Sequence, residues 1–146
     1  MNVSLRNPEN APGPASPFYS QVARVDLGGG ALLFVSGQLA LDESGEVIAP
    51  GDMATQSRAV MRSLDALLRA EGASPADVVS IRTFLTDMSR LGEYGAARAE
   101  FFTGTPPTSA TVEVSRLVPP GAVVEVEVVA AVPAAAGADP SGGAAA

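Results

Sequence analysis

The segment Val123 to Val132 reads VVEVEVVAAV, and it restricts the fold more tightly than any other stretch of the chain. Side chains alternate along a strand, so Val124, Val126 and Val128 share one side while Glu125, Glu127 and Val129 share the other. Thr108 to Ser115 behaves similarly: Ala110, Val112 and Val114 oppose Ser109, Thr111 and Glu113. A sheet built from such strands has one face for helices and one of mixed polarity. That second face either meets water or packs against another subunit, and burying it between chains would enclose carboxylates.

The rest of the pattern alternates between strand and helix. Tyr19 to Leu27, Ala31 to Ser36 and a short Glu46-Val47-Ile48 read as strands. Gly28-Gly29-Gly30 joins the first two as a hairpin turn, and Asp42-Glu43-Ser44-Gly45 is an acidic turn before the third. Met53, Val60, Leu64, Leu67 and Leu68 at helical spacing, with Asp52 as N-cap and Gly72 as stop, predict a helix to Ala70. Ser74-Pro75-Ala76-Asp77 predicts a single turn before a strand from Val78 to Thr86. A second helix, from about Ser89 to Phe102, carries Leu91, Tyr94 and Phe101 on one side. The order β-β-β-α-β-α-β-β is an α+β fold with two helices on one face of a mixed sheet. One domain is expected over 16–132, preceded by an extended N-terminal arm at 1–15 and followed by a disordered low-complexity tail at 133–146. Both ends look too poor in large apolar side chains to offset their ordering entropy.

Missing residue types narrow the chemistry. The 146 residues include no His, no Cys and no Lys; all nine basic residues are Arg. Ser-His-Asp and Cys-His nucleophilic systems, His or thiolate metal sites and lysine Schiff bases are thereby excluded. Proton transfer near neutral pH falls to a carboxylate with a raised pKa, to Tyr19 or Tyr94, to a chain terminus or to ordered water. A net charge of -7 with dispersed arginines argues against nucleic acid as a partner. No apolar run is long enough to span a membrane, and the first residues lack the apolar core of a signal peptide, so the cytoplasm is the expected location.

Several short motifs occur in a telling order: Pro17-Phe18-Tyr19-Ser20-Gln21, Phe34-Val35-Ser36-Gly37-Gln38 followed by Asp42 to Val47, Phe84-Leu85-Thr86-Asp87-Met88, Phe101-Phe102, and Val112-Glu113-Val114-Ser115-Arg116-Leu117 before Val124-Glu125-Val126-Glu127. In this order and spacing they resemble the RidA (YjgF, L-PSP endoribonuclease) superfamily over about Ser16 to Val132. The resemblance implies a chorismate-mutase-like (YjgF-like) homotrimer, three sheets lining a central barrel and small-molecule ligands bound in clefts between subunits. It also implies hydrolysis of reactive enamines and imines, such as 2-aminoacrylate, to keto acids and ammonia, with no metal or organic cofactor. An arginine of the family pairs with the substrate carboxylate, a glutamate on the last strand places the attacking water, and a Ser-Gly turn and an N-terminal Tyr complete the pocket.

Carried over residue by residue, the match is incomplete. Tyr19, Ser36 and Gly37 fall at substrate-binding positions, and Glu125 falls at the catalytic one. The substrate-binding arginine, three residues before the V-E-V segment, is replaced by Ser109; the family's Cys two residues later is Thr111. An Asn often found on the second helix falls at Gly95. A bidentate Arg–carboxylate contact contributes about 1.5 to 3 kcal/mol, so its loss weakens carboxylate recognition roughly ten- to a hundred-fold. The chain is therefore expected not to be a general 2-imino-acid deaminase.

Each residue also has a plainer reading. Glu125 could be a solvated strand carboxylate, with Glu113 and Glu127 as surface or subunit-bridging charges. Tyr19 could be an ordinary amphipathic residue. Ser109 and Thr111 either hydrogen-bond a neutral polar ligand or vacate space for a larger one, and the second is favoured. Three functions follow: hydrolysis, deamination or tautomerisation of an imine, enamine or enol metabolite through Glu125 and water; a non-catalytic trimer binding a metabolite or partner; and, least favoured by charge, an endoribonuclease.

Overall fold

Asp52 caps the first helix, accepting a hydrogen bond from the Thr55 amide at 2.9 Å, and Gly72 at φ 77° stops the chain beyond it. The computed structural model, which describes residues 1–134, places this helix, α1, at Met53–Ala70 and the second, α2, at Leu91–Phe101. Six strands accompany them: β1 (Asn2–Arg6), β2 (Val22–Asp26), β3 (Gly30–Gln38), β4 (Val78–Leu85), β5 (Thr108–Glu113) and β6 (Val124–Pro133). They form one sheet in the order β1-β2-β3-β6-β4-β5. Every pairing is antiparallel except β4 with β5, whose parallel register requires the α2 crossover between them.

The core lies between α1 and one sheet face. Leu33 and Val35 of β3, Val124, Val126 and Val128 of β6, and Ile81 and Leu85 of β4 are buried against Met53, Val60, Leu64, Leu67 and Leu68. These are the valines that the alternation in the last strand assigns to the helix side. Ser74 and Asp77 close a capping box on a single 3-10 turn, Pro75–Asp77, which feeds β4.

The element order is the expected one, but its first three strands are composed differently. Glu46-Val47-Ile48 is not a strand: Val47 makes an isolated bridge to Leu41, while Asp42 Oδ1 accepts from the Ser44 and Glu46 amides and ties the segment into a turn. Asn2–Arg6 supplies the missing strand, pairing with β2 from Asn2 opposite Asp26 to Arg6 opposite Val22. Its side chains stay largely exposed, so a main-chain ladder, assisted by the Arg6–Glu71 ion pair at 3.1 Å, holds it in place of side-chain burial. The start of the second helix also differs. Asp87 caps a 3-10 turn, Met88–Arg90, so α2 begins at Leu91, which is exposed, while Tyr94 and Ala97 are buried. The tail expected at 133–146 lies, from residue 135, outside the described residues.

Candidate functional site

β3 pairs with β6 through Val35 opposite Val128 and then Gln38 opposite Val126, so Ser36 and Gly37 together face the single residue Glu127. This is a β-bulge, which bends the strand and re-aims its side chains. Ser36 is fixed by the N-terminal segment: its hydroxyl donates to the Ser20 carbonyl at 2.7 Å and its amide to the Gln21 carbonyl at 2.9 Å. Gly37 lies directly against Glu125. A β-carbon built there would fall 2.9 Å from the Glu125 carboxyl carbon and closer still to Oε1. The bulge therefore seats the carboxylate in a notch that any side chain at 37 would fill.

Register places Glu125 on the sheet face away from the helices. It sits opposite Phe84 of β4, and Glu127 sits opposite Arg82, to which it is ion-paired at 2.6 Å. Burial pushes the Glu125 carboxyl above the usual carboxylate range, and the neighbouring charge of Glu127 adds to the effect. A raised carboxyl pKa is the property that suits such a group to taking and returning a proton near neutral pH. Beside it, a cavity of about 370 Å³ on the same face is lined by Phe34, Ser36, Arg82, Glu127 and Val129 among others.

On the other side of Gly37 a larger cleft, about 920 Å³, is bordered by Tyr19, Gln38, Arg62 and the loops at residues 9–15 and 39–45. The Tyr19 hydroxyl accepts from the Ala15 amide at 2.9 Å, so the N-terminal segment folds back along this cleft. Its wall is a buried amide network. Gln38 Nε2 donates to Gln21 Oε1 at 2.9 Å, Ser63 donates to Gln38 Oε1 at 2.8 Å, and Gln21 Nε2 donates to the Pro12 carbonyl at 2.9 Å. Sequence reasoning assigned no role to Gln21 or Gln38, although each closes a quoted motif, Phe-Tyr-Ser-Gln and Ser-Gly-Gln.

Ser36, Gly37 and Glu125 are thus brought together around the bulge, while Tyr19 borders the cleft on the other side of Gly37. Ser109 and Thr111 do not join them. In the β4–β5 register Ser109 pairs with Ile81 and Thr111 with Thr83, both buried on the helix side, whereas Val112 pairs with Phe84 on the Glu125 side. The two halves of the expected site occupy opposite faces of one sheet. Ser109 accepts a hydrogen bond from Arg98 Nη1 of α2 at 2.8 Å. Among the described residues no group of three carboxylates is placed to hold a metal ion, and no helix is long and apolar enough to cross a membrane.

Residues 8–132 match the family described as Endoribonuclease L-PSP, which includes the RidA and YjgF proteins. The chain belongs to this family. A RutC family protein of Sulfurisphaera tokodaii is 39% identical over 83% of this chain and 92% of the relative. The 2-iminobutanoate/2-iminopropanoate deaminase of Mus musculus is 32% identical over 82% of this chain and 84% of the relative. Among solved structures, YyfA of the Rid family from Yersinia pestis superposes with a TM-score of 0.78 at 33% identity, covering 90% of this chain and all of that one. Escherichia coli TdcF with bound serine does so with a TM-score of 0.70 at 33% identity, over 83% and 92% of the two chains. The two-helix, mixed-sheet architecture is the RidA fold.

Proposed function

We propose that this RidA-family chain carries out cofactor-independent acid/base chemistry on an imine, enamine or enol metabolite, with Glu125 positioning water and shuttling the proton. The observation that carries this reading is the Glu125 carboxylate seated against Gly37 with its pKa raised by burial. The ordered Ser36 bulge supports it, and so does likeness to a deaminase of imino acids. Because Ser109 and Thr111 face away from Glu125, a complete pocket needs Ser109 and Thr111 of one subunit beside Glu125 of the next. The proposal therefore includes a homotrimer, as the family resemblance implies, working in the cytoplasm. Ser109 and Thr111 are small, and the space that Ser109 vacates sets the substrate apart from the short free 2-imino acids.

The test is ammonia and keto-acid release from 2-aminoacrylate and a panel of imines generated in situ, with wild type and Glu125→Gln, alongside sedimentation to fix the oligomeric state. Turnover of at least one imine, abolished by Glu125→Gln in an intact trimer, is expected. A trimer that binds panel compounds without converting any favours the non-catalytic reading, for which a relative holding serine is the precedent. Wild-type rates on 2-aminoacrylate equal to those of arginine-bearing relatives would overturn the selectivity.

A further inference from the structure

The chain has 16 carboxylates and nine arginines, so a guanidinium without a carboxylate partner is unexpected. Six of the nine, Arg6, Arg24, Arg58, Arg69, Arg82 and Arg90, are ion-paired, and among the described residues Arg62, Arg98 and Arg116 are not. Arg98 is held differently. Its Nη1 donates to Ser109 Oγ at 2.8 Å, and its guanidinium carbon lies 5.8 Å from the centre of the Phe102 ring. A hydroxyl and an aromatic face orient the cation without neutralising it, and a guanidinium has five N–H donors, of which this hydroxyl uses one.

The surroundings of this guanidinium are polar. The buried hydroxyls of Thr83 and Tyr94 lie 2.5 Å apart beneath the same edge of the sheet, and Thr111 is beside Thr83 in register. Burial raises the Tyr94 hydroxyl above the usual phenol range, while Thr83 and the Arg98 charge pull it back, which places that cation within electrostatic reach of the pair.

We propose that Arg98, positioned by Ser109 and Phe102 between α2 and β5, is an anion subsite that binds a carboxylate of the substrate. One guanidinium matches a monoanionic carboxylate better than a dianionic phosphate. The proposal rests on the reading above, in which this edge meets Glu125 of a neighbouring subunit. It also deepens that reading. The charge that Ser109 lacks is supplied from the helix, so the substrate remains carboxylated and what changes is how the carboxylate is held.

Binding of 2-oxobutanoate, its neutral amide and inorganic phosphate, followed by calorimetry in the full chain, tests this. Wild type should bind the acid at least tenfold more tightly than the amide. Arg98→Gln should weaken acid binding by roughly ten- to a hundred-fold and leave amide binding unchanged, as expected for loss of a charge-assisted contact. Arg98→Lys should recover part of the loss and guards against misfolding of the Gln variant, which thermal melting checks. Equal acid affinity in wild type and Arg98→Gln, no preference for acid over amide, or no acid binding at all would overturn the proposal. Arg98-dependent phosphate binding tighter than that of the acid would also overturn it. The same titrations in Glu125→Gln separate the two claims: acid binding should persist there, and a Glu125→Gln protein with normal turnover refutes the proton shuttle while leaving the subsite standing.

Discussion

Gly37 and Glu125 share a space that admits one side chain: a β-carbon at position 37 would meet the Glu125 carboxyl carbon at 2.9 Å. Gly37→Ala should therefore push the carboxylate out of its notch while leaving the fold intact, because what yields is the mobile end of a side chain and the Gly37 φ is not positive. Misplacing a catalytic group by about an ångström costs on the order of 100-fold, so kcat/KM should fall by roughly that factor. The variant's melting temperature should stay near that of wild type. An unchanged kcat/KM would show that the seat of Glu125 is irrelevant.

The raised pKa of Glu125 has a consequence for stability. Burial first, and Glu127 second, hold its carboxyl protonated to higher pH in the folded chain than in the unfolded one. Between the two values the folded state binds the proton that the unfolded state has released, so this residue's contribution falls as pH rises through that window. Glu125→Gln should consequently be more stable than wild type at pH 8, with the gain shrinking toward pH 4. Denaturant titrations across this range check the sign, and a variant less stable at pH 8 than wild type contradicts it.

The buried amides behind the cleft should matter to folding. Gln38→Leu strands Ser63 Oγ, Gln21 Oε1 and the Ser36 carbonyl, the groups that its side chain satisfies. Leaving a buried polar group unpaired costs about 1 to 3 kcal/mol, and urea unfolding of the variant should show a loss in that range. A neutral change would mean that water replaces the amide.

Restoring an arginine at position 109 should fail in the presence of Arg98. Ser109→Arg removes the acceptor of Arg98 Nη1 and sets two guanidinium groups within a few ångströms, where like charges repel by about 1 kcal/mol even in water. Acid binding should be weaker than wild type in Ser109→Arg and stronger in Ser109→Arg/Arg98→Gln than in Arg98→Gln alone. Calorimetry decides this, and additive effects of the two changes would contradict the shared location.

Much of the fold was legible because strong periodicity has local causes. α1 and its caps, the capping box at Ser74 and Asp77, and the helix-facing valines of β6 follow from spacing and turn chemistry. β1 was not legible because Asn2–Arg6 is held by main-chain pairing to residues some twenty positions away, which leaves no hydrophobic signature. The acidic turn hid the weakness of Glu46 to Ile48, since Asp42 satisfies the local amides that a strand would have offered. In the site, motifs pointed to Tyr19, Ser36, Gly37 and Glu125. The bulge that joins the last three arises from register, which a linear reading does not contain. Arg98 was invisible for the same reason: eleven residues and a crossover separate it from Ser109.

The central claim is that Glu125 and the Arg98–Ser109 edge act together across a subunit boundary. Mixing subunits tests it most directly: Glu125→Gln and Arg98→Gln chains are unfolded together in equal amounts, refolded and assayed for imine hydrolysis. In a closed ring with head-to-tail interfaces, random assembly leaves about one site in four with both groups intact. Each variant alone should be impaired and the mixture should recover about a quarter of wild-type activity. A mixture no better than the average of its parents would contradict a site shared between subunits.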